Sequence, residues 1–176
     1  ELRVRIDKLS RADKSDNMLR ISSDSRKAAL DARLVGLYDN GAETKIDRAV
    51  ENIARIYRQN AENAYTDPET GNVASHQGAL QIVFLDLGTP NKERGWSVYD
   101  KMRDQLVAMG VPGAEIVFVQ DAKSSAKKAA LFKAARDGQV SVLFGSTETM
   151  GVGTNVQRRA IALHDIDCPW RPSDLQ

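Results

Sequence analysis

The sequence predicts an α/β fold: a parallel β-sheet sandwiched by helices, with a helical appendage at the N-terminus. Three observations carry this reading. Short apolar runs recur at 80–85, 115–119, 140–144 and 160–164. Stretches with helical spacing lie between them. Loops rich in Gly, Ser, Thr and Pro follow several of the runs. Parallel strands need long crossovers, and a helix of this length supplies one. Right-handed crossovers bring every strand's C-terminal end to one edge, where functional loops of such sheets gather.

Residues 1–25 are polar, charged and weakly periodic, which predicts a lead-in or linker. Ser23-Asp24-Ser25 reads as a helix start, residues 26–38 as its body and Gly41 as its stop. Ile46, Ala49, Val50, Ile53, Ile56, Tyr57 and Asn60 follow the spacing of an amphipathic helix. Residues 63–79 carry Asp67-Pro68 and Gly71-Asn72 and no apolar period, so they form a loop. His76 falls there and reads as a solvated histidine.

The run at 80–85 is a buried strand, closed by Leu87-Gly88-Thr89-Pro90. Val98, Tyr99, Met102, Leu106 and Met109 mark a helix that ends at Gly110. A second strand follows at 115–119. Residues 124–136 form a helix capped by Ser124 or Ser125, with Ala129, Phe132 and Ala135 inward and Gly138 as its stop. Strands three and four are 140–144 and 160–164. The division is a helical lead-in over 1–65, packed on an α/β domain over 66–176.

Composition narrows the function. A chain of 176 residues, 41% hydrophobic, suits one domain with an appendage and fills a core. A formal net charge of +1 produces no global field for nucleic acid, so such a contact must use local basic groups. The single Cys168 allows no intrachain disulfide, and it reads as a small core residue. His76 and His164 lack metal-ligand spacing, so no metal site is expected among protein ligands alone. No leader pattern is present, and no apolar run approaches the roughly 18 residues of a membrane span. A cytoplasmic protein without membrane contact is expected. The start without Met and the stop at Gln176 predict a piece of a longer polypeptide.

The richest loop is GSTETMGVGTNVQ, residues 145–157. Gly151 and Gly153 allow a tight turn whose N–H groups point at a ligand. Ser146, Thr147 and Thr154 add hydroxyl donors. A short helix at 154–158 would favour an anion at its N-terminus. The loop lacks the P-loop Lys and the third Gly of the dinucleotide fingerprint. A phosphate cradle and a plain chain turn both fit it. In DCPWRPSD, residues 167–174, Trp170 is either a ligand platform or a hydrophobic plug. Arg171 can pair with a phosphate or carboxylate. Thr89 offers a hydroxyl and an N–H at the same edge.

In this order, the segments at 80–90, 140–157 and 160–176 resemble motifs IV, V and the approach to VI of superfamily-two helicases. They are most similar to the second RecA-like domain of Snf-type ATP-dependent DNA translocases, as in large phage and mobile-element proteins that join such a helicase to a DNA methyltransferase. Ser146, Thr147, Gly151, Gly153 and Asn155 match motif V in register. Asp167, Trp170, Pro172, Asp174, Leu175 and Gln176 match the segment that follows. Ser23 to Leu34 resembles a stretch of the helicase–methyltransferase proteins, so the likeness covers about residues 20–176.

The resemblance implies a RecA-like lobe that shares ATP and Mg2+ with an N-terminal RecA-like lobe bearing the P-loop Lys. Gly151, Gly153, Thr154 and Asn155 would approach ATP. Thr89, Ser146, Thr147, Trp170 and Arg171 would contact the DNA backbone. The arginine finger belongs to the next motif, so no catalytic residue is expected here and the chain alone should not hydrolyse ATP. The alternative is a non-catalytic nucleic-acid-binding or scaffold module of a DNA-modification protein. A small-molecule enzyme is disfavoured, since no acid/base or nucleophile constellation stands out.

Overall fold

The computed structural model describes Val4 and residues 17–37, 41–67, 70–90, 95–150 and 155–167. Its elements are α1 (Met18–Leu30), α2 (Lys45–Asn60), β1 (Leu80–Phe84), α3 (Val98–Ala108), β2 (Ile116–Phe118), α4 (Ser125–Asp137), β3 (Val142–Gly145), α5 (Thr147–Met150) and β4 (Ala160–Asp165). The four strands form one sheet in the order β2-β3-β1-β4, and every pairing is parallel. This is the expected α/β class with helices on both faces, consistent with a RecA-like lobe.

The central strands β1 and β3 are buried along nearly their whole length. That is why they read as continuous apolar runs rather than alternating ones. On one face, Ile46, Val50 and Ile53 of α2 and Tyr99, Met102 and Leu106 of α3 pack on Val83, Leu85, Val142 and Phe144. Tyr99, Phe118 and Phe144 form a ring cluster with centroids 5.3–5.8 Å apart. On the other face, α4 lays Leu131, Phe132 and Ala135 over Leu80, Ile82 and Leu143. The N-terminal helices join the first layer: α1 contacts α2, and Leu30 and Leu34 enter the same core.

Several boundaries differ from the sequence expectation. The first helix begins at Met18 rather than Ser23, because the Asn17 side chain accepts from Arg20 N at 2.9 Å and caps it there. It ends at Leu30. Asp31 accepts from Arg33 N at 3.0 Å and restarts the chain as a 3-10 turn, Ala32–Val35, which Gly36 stops in place of Gly41. Ala129 is exposed, since the inward stripe of α4 runs through Leu131, Phe132 and Ala135. The helix expected at 154–158 is replaced, among the described residues, by a 3-10 turn at Gln157–Arg159. A short helix, α5, instead follows β3 at once.

The expectations for the caps of α4 and for the loop after α2 hold. Ser124 caps α4 and Gly138 ends it in the left-handed region. Residues 63–67 and 70–79 are loop, with one isolated bridge between Thr66 and Val73, and His76 is exposed. Among the described residues no helix is long and apolar enough to cross a membrane, and no cluster of His, Cys, Asp and Glu is placed to hold a metal.

Candidate functional site at the C-terminal strand edge

Parallel pairing brings the ends of β1, β3 and β4 to one edge. From β1 the chain leaves toward α3, on the face of the aromatic cluster. From β3 it enters α5, whose Met150 packs on the opposite face with Val119 and Leu143. The two exits diverge between neighbouring strands, which is where open α/β sheets form a crevice.

Two carboxylates organise this edge. Asp86, just past β1, accepts from Thr147 N at 2.7 Å and from Thr147 Oγ1 at 2.8 Å. Asp167, just past β4, accepts from Asp86 N at 3.0 and 3.1 Å and from Leu87 N at 2.6 Å. One hydrogen-bonded chain therefore ties the exits of β3, β1 and β4 together. Burial pushes the Asp167 carboxyl above the usual range, against the pull of the two backbone N–H groups; the neighbouring Asp86 charge pushes it the same way. Burial also raises the Tyr99 hydroxyl, with Asp167 and Asp86 adding to it. Tyr99 donates that hydroxyl to Leu85 O at 2.5 Å, fixing the end of β1.

Local chemistry shapes each loop. Ser146 N donates to Thr149 Oγ1 at 2.8 Å, and Thr149 N donates back to Ser146 Oγ at 3.1 Å. This reciprocal pair starts α5 as a capping box does. Gly145 has no room for a side chain, since a Cβ would stand 2.6 Å from Met150 Cγ. Gly88 has φ +70°, and a Cβ there would meet Val98 Cγ2 at 2.3 Å, so the turn after β1 can lie directly on the start of α3.

Cations reach the same edge from the appendage. Arg26 and Lys45 line a small cavity of about 100 Å3 with Leu87, Ile166 and Asp167. Helices α1 and α2 thus add positive charge next to Asp167.

Of the residues singled out from sequence, Ser146 and Thr147 stand together at this edge, half-buried and exposed respectively. Thr89 is exposed three positions beyond Asp86. Asn155 is not with them: its carbonyl accepts from Arg136 Nη1 at 2.9 Å, at the last turn of α4, which leads to the opposite strand edge. Gly151, Gly153, Thr154, Trp170 and Arg171 lie outside the described residues, as does Cys168. His164 is a core residue. It is buried against Gln81 Oε1 at 3.0 Å, and Gln81 Nε2 donates to Ile53 O. Burial holds its pKa below the ordinary value, with Asp165 opposing.

Sequence reasoning missed the part played by Asp86 and Asp167. The available signal was positional: each is an Asp within three residues of the end of an apolar run at the same edge. No family model matches the chain, and no curated protein or solved structure is significantly similar to it.

Proposed function

We propose that the chain is the second RecA-like lobe of an ATP-dependent DNA translocase or helicase. The observation that carries this reading is the Thr147–Asp86–Asp167 chain of hydrogen bonds across three strand exits at the switch-point edge. A motor needs the segment on its track to be coupled mechanically to the segment facing its fuel. Such a chain provides that coupling through rigid strands rather than through free loops.

In this reading the edge faces an N-terminal lobe across a cleft. Bound between the lobes, ATP with Mg2+ supplies the driving free energy. Beside Arg26 and Lys45, the donors that the described loops of this edge carry are neutral N–H and hydroxyl groups, which suits a half-site whose partner brings the catalytic cations. Ser146, Thr147 and Thr89, with Trp170 and Arg171, hold the DNA backbone. Contacts of this kind set position without reading sequence. Thr147 gives its N–H and hydroxyl to Asp86 in the free lobe, so a DNA phosphate takes the place of that carboxylate. By the same resemblance Gly151, Gly153 and Thr154 would serve the nucleotide; Asn155, held by Arg136 toward the opposite strand edge, is not placed at this edge. Alternate closure and opening of the lobes moves them along the duplex.

One observation favours the second reading, a non-catalytic nucleic-acid-binding or scaffold module. Thr147's donors are already satisfied inside the chain, as in a purely structural loop. The experiment is Gly153→Val in the full polypeptide. Loss of DNA-stimulated ATP turnover with DNA binding retained is the expected result. Unchanged turnover, or no turnover in the unsubstituted protein, favours the scaffold. The 176-residue chain alone is expected to turn over no ATP.

A further inference from the structure

We propose that a polar cavity at the opposite, N-terminal strand edge is a phosphate-binding site. The cavity measures about 220 Å3, several times the ~30 Å3 that a water molecule occupies in the liquid. Its cations come from two places that the fold brings together. Lys133 and Arg136 belong to the last turns of α4, and Arg158 and Arg159 to the 3-10 turn before β4.

The three arginines are held by backbone carbonyls, and the Asp137 carboxylate acts on Arg136 and Arg159 only at a distance, without an ion pair. Arg136 donates to Asn155 O at 2.9 Å, Arg158 to Thr66 O, and Arg159 to His76 O at 2.7 Å. Every one of these acceptors is a neutral backbone carbonyl. Among the described residues no carboxylate forms an ion pair with any of the three. Asp67 and Asp137 also line the cavity, but Asp137 is taken by Lys133 at 2.6 Å. Four cations thus face two carboxylates, and both carboxylates are engaged, Asp137 by Lys133 and Asp67 by interactions of its own.

Arg159 makes the case for a ligand. It is 1% exposed, and its Nε is buried with no acceptor. A buried guanidinium with no carboxylate in direct contact is costly, and an unmet donor on it adds to the cost. The fold nonetheless builds a seat for it. Its Cζ lies 4.8 Å from the Tyr65 ring centroid, a cation–π distance. Gly138 at φ +88° leaves the space, since a Cβ there would stand 2.0 Å from Arg159 Nη1. Planar guanidinium forks that converge on one polar space match the several oxygens of a phosphate group, which accepts charge-assisted hydrogen bonds from each. The phosphate could be that of a polynucleotide backbone or of a small free compound. The inference does not rest on the translocase reading, because it concerns the other edge of the sheet.

The test uses the 176-residue chain, titrated with inorganic phosphate at constant ionic strength and followed by amide NMR. Saturable shifts at His76, Gly138 and Gln139 are expected. Arg136→Gln and Arg158→Gln should each weaken binding about tenfold, the effect of losing one charge-assisted hydrogen bond. Arg55→Gln, which removes an exposed cation on α2, should change nothing. A single-stranded oligonucleotide that shifts the same amides, and is weakened by the same variants, identifies a backbone phosphate; shifts with inorganic phosphate alone identify a small free ligand. Absence of saturable shifts at those amides in the unsubstituted chain overturns the proposal, whatever the variants do. So does equal weakening by Arg55→Gln, which would reduce the effect to overall charge.

Discussion

Gly138 shows what a single residue decides. As a helix stop it was legible, because glycine after an apolar-periodic stretch commonly takes the left-handed cap. Its second role was not legible: it makes room for a guanidinium that arrives from residue 159. Gly138→Ala is therefore expected to destabilise the chain by about 1–3 kcal/mol in urea unfolding, from strain at positive φ together with displacement of Arg159. Gly36→Ala is the comparison. It has φ +76° but nothing within 4 Å of its Cβ position, so only the strain remains and the loss should be smaller. Equal losses at the two sites would show that Arg159 yields without cost. An arginine ahead of a strand reads as a surface residue, which is why Arg159 gave no hint of its burial.

At the scale of an element, α2 is held at its start by a capping box and by a neighbour. Thr44 N donates to Asp47 Oδ2 at 2.7 Å, and Asp47 N donates to Thr44 Oγ1 at 3.3 Å. Gln105 Nε2 donates to Asp47 Oδ1 at 2.7 Å, and Lys101 Nζ lies 3.1 Å from it, so the cap also fastens α2 to α3. Burial alone would raise the Asp47 carboxyl. The hydrogen bonds from Gln105, Thr44 and Lys101 outweigh it and hold the carboxyl well below the usual range. A carboxyl lowered on folding stabilises the fold above its unfolded value of about 3.9, and that stability is lost as pH falls through the folded value. Unfolding free energy should therefore fall below about pH 4. Asp47→Asn should cost about 1–2 kcal/mol at pH 7 and flatten the acid limb, measured by denaturant titration at pH 7 and pH 3. An unchanged acid limb would assign it to other carboxylates. The helix itself was legible from its 3.6-residue apolar period, and so was α3. The start of α1 was not, because its cap, Asn17, lies in a polar stretch where nothing marks one residue above another.

At the scale of the whole molecule, strand order separates residues of one kind. Leu143 of β3 and Leu163 of β4 both lie in apolar runs. Leu143 is central and fully buried, while Leu163 on the edge strand is 65% exposed. The register pairs Leu163 with Ile82, on the side that α4 covers only over the other strands. Leu143→Ala should cost about 2–5 kcal/mol, and Leu163→Lys should stay within roughly 0.5 kcal/mol of the unsubstituted chain in thermal or urea unfolding. A large loss at Leu163 would mean that its face is covered in solution.

The sequence by itself determined the alternation of strands and helices, most of their boundaries and the loops at their ends. These follow from periodicity and capping, which act over a few residues. Only the tertiary structure decided the order β2-β3-β1-β4, the union of Asp86 with Thr147 and Asp167, and the burial of Arg159 beside His76. Those contacts join residues 61 to 83 positions apart. No local pattern encodes such a meeting; it comes from closing the sheet and packing its two faces.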